Sequence, residues 1–128
     1  MITYTIPELE LGQYSLNKYY AGMNIHQRRK HTQYWHDLTH YAMRAAGIKR
    51  SPQDGPWAVT FYFNSRLDID NHAVIAKMVI DSMKGWVFPN DTRQFLKEVN
   101  FRFWDGKGVK VELEEVKPEK EARSGAKS

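Results

Sequence analysis

At 128 residues, with 41% hydrophobic and 13% aromatic content, the chain suits one domain with a modest core rather than a disordered polymer. The absence of cysteine excludes disulfides, thiolate zinc sites and a cysteine nucleophile, and agrees with a reducing cytoplasm. A net charge of +4 and a pI of 9.3 favour an anionic partner. No apolar run approaches the ~20 residues of a membrane helix, and the opening Met1-Ile2-Thr3-Tyr4 lacks the pattern of a signal peptide.

Residues 3–11 alternate apolar and polar side chains (Tyr4, Ile6, then Leu9 and Leu11), which predicts a strand; Pro7 limits its pairing and makes it an edge. Residues 15–22 read as a tyrosine-rich loop. A helix is expected over residues 24–46, with Tyr34, Trp35, Leu38, Tyr41, Ala42 and Ala45 as its buried stripe and Gly47 as its stop. After the turn-rich residues 49–56, the Trp, Val, Thr, Phe and Tyr of residues 57–63 predict a strand.

Asp70 is the expected N-cap of a helix over residues 71–84 that Gly85 ends. Ile75, Val79, Ser82 and Met83 share one side of it, and Val74, Lys77, Asp81 and Lys84 another. Residues 86–91 extend into a turn at Pro89-Asn90. Residues 94–104 and 107–115 alternate on either side of Asp105-Gly106, which predicts a hairpin. From Lys117 the tail is charged and aperiodic and is expected to be disordered. The order β-α-β-α-β-β predicts an α+β domain over residues 1–116: one mixed sheet, covered by helices on one face.

The most informative segment is Arg66-Leu67-Asp68-Ile69-Asp70-Asn71, answered by Pro89-Asn90-Asp91. Carboxylates two apart in extended backbone point to the same side and can share one hard cation such as Mg²⁺. Such a pair costs free energy unless a cation or protons neutralise it. An ordinary alternative is open, with Asp70 as a cap and Asp68 and Asp91 as turn residues. Lys77 lies two helical turns from Asp70 and one from Asp81. It serves either a scissile phosphate or an exposed i, i+4 ion pair. His36 and His40 have zinc-compatible spacing without the remaining ligands, so a solvated helix face is expected. His72 either approaches substrate or sits in the first turn of the helix. Lys18, Arg28, Arg29 and Lys30, next to Tyr19 and Tyr20, are candidates for phosphate and base contacts. Arg66, Arg93, Lys97 and Arg102 flank the carboxylates. No P-loop, Gly-x-Gly-x-x-Gly or Gly-x-Ser-x-Gly string occurs.

Residues 66–71, 77–85 (Lys77 to Gly85) and 87–94 (Val87-Phe88-Pro89-Asn90-Asp91-Thr92-Arg93-Gln94) together resemble the RusA family of Holliday junction resolvases, and residues 15–20 resemble its early Asn/Tyr loop. The resemblance implies a small homodimeric endonuclease that uses Mg²⁺ or Mn²⁺ to nick four-way DNA junctions symmetrically in recombination and repair. It makes Asp68, Asp70 and Asp91 the metal ligands and Lys77 the catalytic lysine. DNA contacts would come from Asn17, Lys18, Arg28, Arg29, Lys30, Arg66, Asn71 and Arg93. The spacing from Asp70 to Lys77 is longer than the family pattern, and His72 stands where an aliphatic residue is common. By the same resemblance the protein is expected in the cytoplasm, on the nucleoid, from a phage or prophage. A binding module for branched or single-stranded nucleic acid that does not cut, and a nuclease for flaps or RNA, are the alternatives.

Overall fold

The computed structural model describes residues 1–117. The tail predicted as disordered lies outside these, except for Lys117. The chain folds as an α+β domain with strands β1 (Ile2–Ile6), β2 (Trp57–Phe63), β3 (Leu96–Phe103) and β4 (Val109–Glu115). Its helices are α1 (Leu16–Tyr20), α2 (Ile25–Ala45) and α3 (Ala73–Met83). Among the described residues no helix is long and apolar enough to cross a membrane.

The strands form one mixed sheet in the order β1-β4-β2-β3. β1 is an edge strand, as expected from Pro7, but it stops at Ile6. The following chain is tied down by buried Glu8, whose carboxylate accepts the backbone N–H of Glu10 and the hydroxyl of Tyr34. That hydrogen bond pushes the Tyr34 pKa up to about 12, because ionising the phenol would put two negative charges together. Residues 16–20, expected as loop, form the short helix α1, because the Ser15 hydroxyl accepts the Lys18 N–H at 3.2 Å and caps it.

The expected hairpin does not form. β3 and β4 are not neighbours; β2 lies between them, parallel to β3 and antiparallel to β4. Val109, Val111 and Leu113 of β4, like Val59, Phe61 and Phe63 of β2, are fully buried on one face. Both strands therefore take central positions, and β3, with Lys97, Glu98 and Arg102, goes to the edge. The Asp105-Gly106 connection crosses the end of β2 instead of making a tight turn. Trp104 N–H donates to the Phe63 carbonyl at 3.0 Å and the Asn64 amide donates to the Gly106 carbonyl at 2.8 Å. Gly108 ends this crossing at φ +83°, where a Cβ would collide with the Ile6 carbonyl.

The core fills the space between one sheet face and the α2–α3 layer. α2 begins as predicted, with the Asn24 side chain accepting the Gln27 N–H at 2.9 Å. Its buried residues are Trp35, Thr39, Ala42 and Met43, while Tyr34 and Tyr41 are exposed. The stripe is thus rotated from the expected one: at an amphipathic boundary, packing against α3 and β1 decides which aromatic is covered. His40 donates from Nε2 to the Ser82 carbonyl at 2.9 Å and packs its ring on Trp86, 4.6 Å away. One histidine of the His36–His40 pair therefore ties α2 to α3.

Candidate functional site

The segment from Asn64 to His72 leaves the end of β2 and feeds α3. Asp68, not Asp70, is the cap position, and it precedes a 3₁₀ turn over Ile69–His72; neither carboxylate makes a side-chain cap hydrogen bond. α3 then starts at Ala73, two residues later than predicted. Asp68 and Asp70 face solvent at the head of α3.

His72 holds this loop in place. It is fully buried and stacks on Phe63 at 4.1 Å with an interplanar angle of 13°. Nδ1–H donates to the Ile69 carbonyl at 3.0 Å, which leaves Nε2 to accept the Ser65 hydroxyl at 2.7 Å. The Ser65 oxygen in turn accepts the Leu67 N–H at 3.1 Å. His72 thus sits in the turn entering the helix and does not reach toward solvent. Its role was hidden in the sequence; its place directly after Asn71 was the only available signal.

Burial depresses the pKa of His72 below its ordinary 6.5, and those of His31 and His40 likewise. The folded state therefore binds fewer protons than the unfolded chain. Stability from these groups is complete above pH 6.5 and is lost as pH falls from there through the lower folded values. Urea unfolding at about pH 7.5 and about pH 5 should show a clear loss at the acid end, bounded by ~1.4 kcal/mol per pH unit for each histidine. His72→Gln should reduce that dependence by its share, leaving the part due to His31 and His40. Equal wild-type stability at the two pH values contradicts the assignment.

Along α3 the structure joins residues that are distant in sequence. Lys77 Nζ lies 2.9 Å from Asp81 Oδ1 and 3.9 Å from Asp91 Oδ2. Lys84 Nζ lies 3.5 Å from Asp81 Oδ1 and 3.8 Å from Asp91 Oδ1. Two ammonium groups thus bracket two carboxylates on the exposed side of the helix. Lys84 was absent from the predicted site, although its helical spacing from Lys77 and Asp81 already put it on their face. The hydrogen bond to Asp81 is the main reason Lys77 is held above its ordinary 10.5, so at neutral pH it is a fixed cation and not a base. These pairs are exposed, and the Lys77–Asp81 pair contributes only about 0.3–0.5 kcal/mol to stability.

Asp91 thus meets Lys77, as a shared site requires. Among the described residues, however, no three His, Cys, Asp or Glu side chains come close enough together to hold a metal ion, so Asp68, Asp70 and Asp91 do not converge. Their oxygens are the donor type that Mg²⁺ takes.

The early Asn/Tyr segment docks on the same end of α3. Asn17 N–H donates to the Asn71 side-chain oxygen at 3.1 Å. The Tyr19 hydroxyl hydrogen-bonds His31 Nδ1 at 2.7 Å. Arg28 donates to the Tyr19 carbonyl at 2.9 Å and lies 5.6 Å from its ring centre. Lys18, Arg28, Arg29 and Lys30 are exposed here, and Arg66 and Arg93 are exposed beside the carboxylates. Lys97 and Arg102 are also exposed, on the edge strand β3. Between α1, α2 and α3 runs a groove of about 410 Å³, with Lys77 and Asp81 on its rim.

Compared with protein-family models and with curated proteins, the chain matches none.

Proposed function

We propose that this protein is a Mg²⁺- or Mn²⁺-dependent endonuclease that cuts branched DNA, with the four-way junction as its substrate. One observation carries the reading: Asp91 comes within 3.9 Å of Lys77 on α3, the helix that begins at Ala73, two residues after Asp68-Ile69-Asp70-Asn71. The resemblance to the RusA family assigns roles to these same residues. The reaction is hydrolysis of a phosphodiester. Asp68, Asp70 and Asp91 would supply carboxylate oxygens for the cation, which would have to draw the three together and take Asp91 from its lysine partners. When bound, the cation supplies charge stabilisation for the attacking and leaving oxygens. Lys77, held protonated, offsets negative charge developing on the phosphoryl group. The exposed cations from Lys18 to Lys30, with Arg66 and Arg93, draw and orient the polyanion. Positioning and neutralisation account for the catalysis, so no nucleophilic side chain is needed.

A four-way junction calls for two matched cuts, which a two-fold dimer delivers. β3 offers a surface for one. Among the described residues it is an edge strand with one side unpaired, and its helix-side residues are incompletely covered, with Val99 40% and Phe103 54% exposed. Antiparallel pairing of two β3 strands about a dyad at Asn100 sets Glu98 of one copy opposite Arg102 of the other, and Val99 opposite Phe101. Val99→Lys, which puts a charge against the facing Phe101 and sets the two new lysines diagonally across the dyad, should leave the site folded, shift the sedimenting species from dimer to monomer, and turn paired nicks into single ones. An unchanged mass rules out this edge.

The reading is tested by cleavage of an end-labelled synthetic four-way junction in Mg²⁺ against EDTA. Paired symmetric nicks that require metal support it. The alternative, a binding module that does not cut, is favoured by the lysine pairing of Asp91. Binding without cleavage under every divalent cation selects it.

A further inference from the structure

The groove beside Lys77 is not needed to cut a phosphodiester, yet it has the features of a ligand site. Its volume of about 410 Å³ falls within the range of roughly 300–1,000 Å³ typical of small-molecule pockets. Leu16, Val74 and Met78 give it an apolar floor, and Tyr19 an aromatic wall with the Arg28 guanidinium nearby. Arg28 and Lys77 put cations at its rim. Asp81 is also on the rim, and both of its lysine contacts fall on Oδ1, so Oδ2 is left to accept a hydrogen bond. The apolar floor excludes a bare phosphate as occupant, and the cationic rim disfavours a purely apolar one. A flat heterocycle joined to phosphates meets both demands: the ring packs on the floor and Tyr19, and its phosphates meet Arg28 and Lys77.

We propose that this groove takes one unstacked nucleobase next to the branch of the bound nucleic acid. The proposal rests on nucleic acid being the substrate. A base flanking the branch can lose stacking on one side, so extruding it costs less than extruding a base from the interior of a duplex. The groove then selects structure over sequence, and it fixes the strand because the base is captured beside Asp81 and within reach of the lysine that meets Asp91.

The test is binding of a labelled four-way junction in EDTA, with a single abasic nucleotide walked through the positions flanking the branch. One position should weaken binding about 10-fold, the scale of a lost base stack. Val74→Trp fills the floor, and Thr32→Trp, at an exposed position on the opposite wall, does so without touching the core. Both should weaken the intact junction by a similar factor and abolish the abasic penalty. An affinity indifferent to every abasic position, or a penalty unchanged in both variants, overturns the proposal. Abasic penalties without cleavage in Mg²⁺ leave the groove standing and remove the nuclease. Cleavage without penalties does the reverse, and absence of any junction binding removes both.

Discussion

Asp70→Asn should abolish metal-dependent junction cleavage while leaving the fold and the affinity in EDTA intact. The side chain faces solvent and makes no capping hydrogen bond, so its replacement by an isosteric amide disturbs no packing. What it removes is a carboxylate oxygen at the head of α3. The loss in rate should reach at least about 10²–10³-fold, the range for deleting one electrostatic stabiliser of a transition state. Affinity for the junction in EDTA should hold or rise, because one negative charge facing a polyanion is gone. Single-turnover cleavage with equal saturation of both proteins separates the two effects. Cleavage at the wild-type rate in the variant returns Asp70 to a turn residue and favours the binding module.

Phe63→Ala should produce the largest loss of stability among single changes near the site. Phe63 is fully buried at the end of β2, stacks on His72 at 4.1 Å, and meets Phe101 edge-on at 5.6 Å. Removing a buried phenyl ring costs about 3–5 kcal/mol, a large part of the 5–15 kcal/mol that typically holds a domain together. Urea unfolding should show a lower midpoint with an unchanged slope. The ring also floors the loop that carries Asp68 and Asp70, so cleavage by the folded fraction should fall as well. Met43→Ala, equally buried in α2 but remote from that loop, is the control. It should cost stability and spare the rate. Equal rate losses in both variants contradict a positioning role for Phe63 and His72.

The Asp68-Ile69-Asp70-Asn71 string and the face of α3 with Lys77, Asp81 and Lys84 could be read from the sequence, because both depend on residues within two helical turns of one another. The approach of Asp91 to Lys77 and Lys84 could not, since it is set by how the chain returns from α3 toward β3. Nor could the docking of Asn17 on Asn71, across a separation of 54 residues. His72 is the clearest case of an ambiguous residue: its polarity suggests a surface, and only its stack on Phe63 and bonds to Ser65 and Ile69 show it to be interior.

The sequence by itself determined the two long helices α2 and α3 and the four strands, the Asn24 cap of α2, the stop of α3 before Gly85, and the α+β class, but not the short helix α1. These follow from local periodicity and from backbone hydrogen bonds between near neighbours, which a few residues suffice to specify. Only the tertiary structure decided that β2 separates β3 from β4, and which ring of α2 is buried. A turn signal such as Asp105-Gly106 weighs little against the burial of Phe61, Val111 and Leu113. Strand order is settled by the apolar area that the whole sheet removes from water, a quantity no single segment carries.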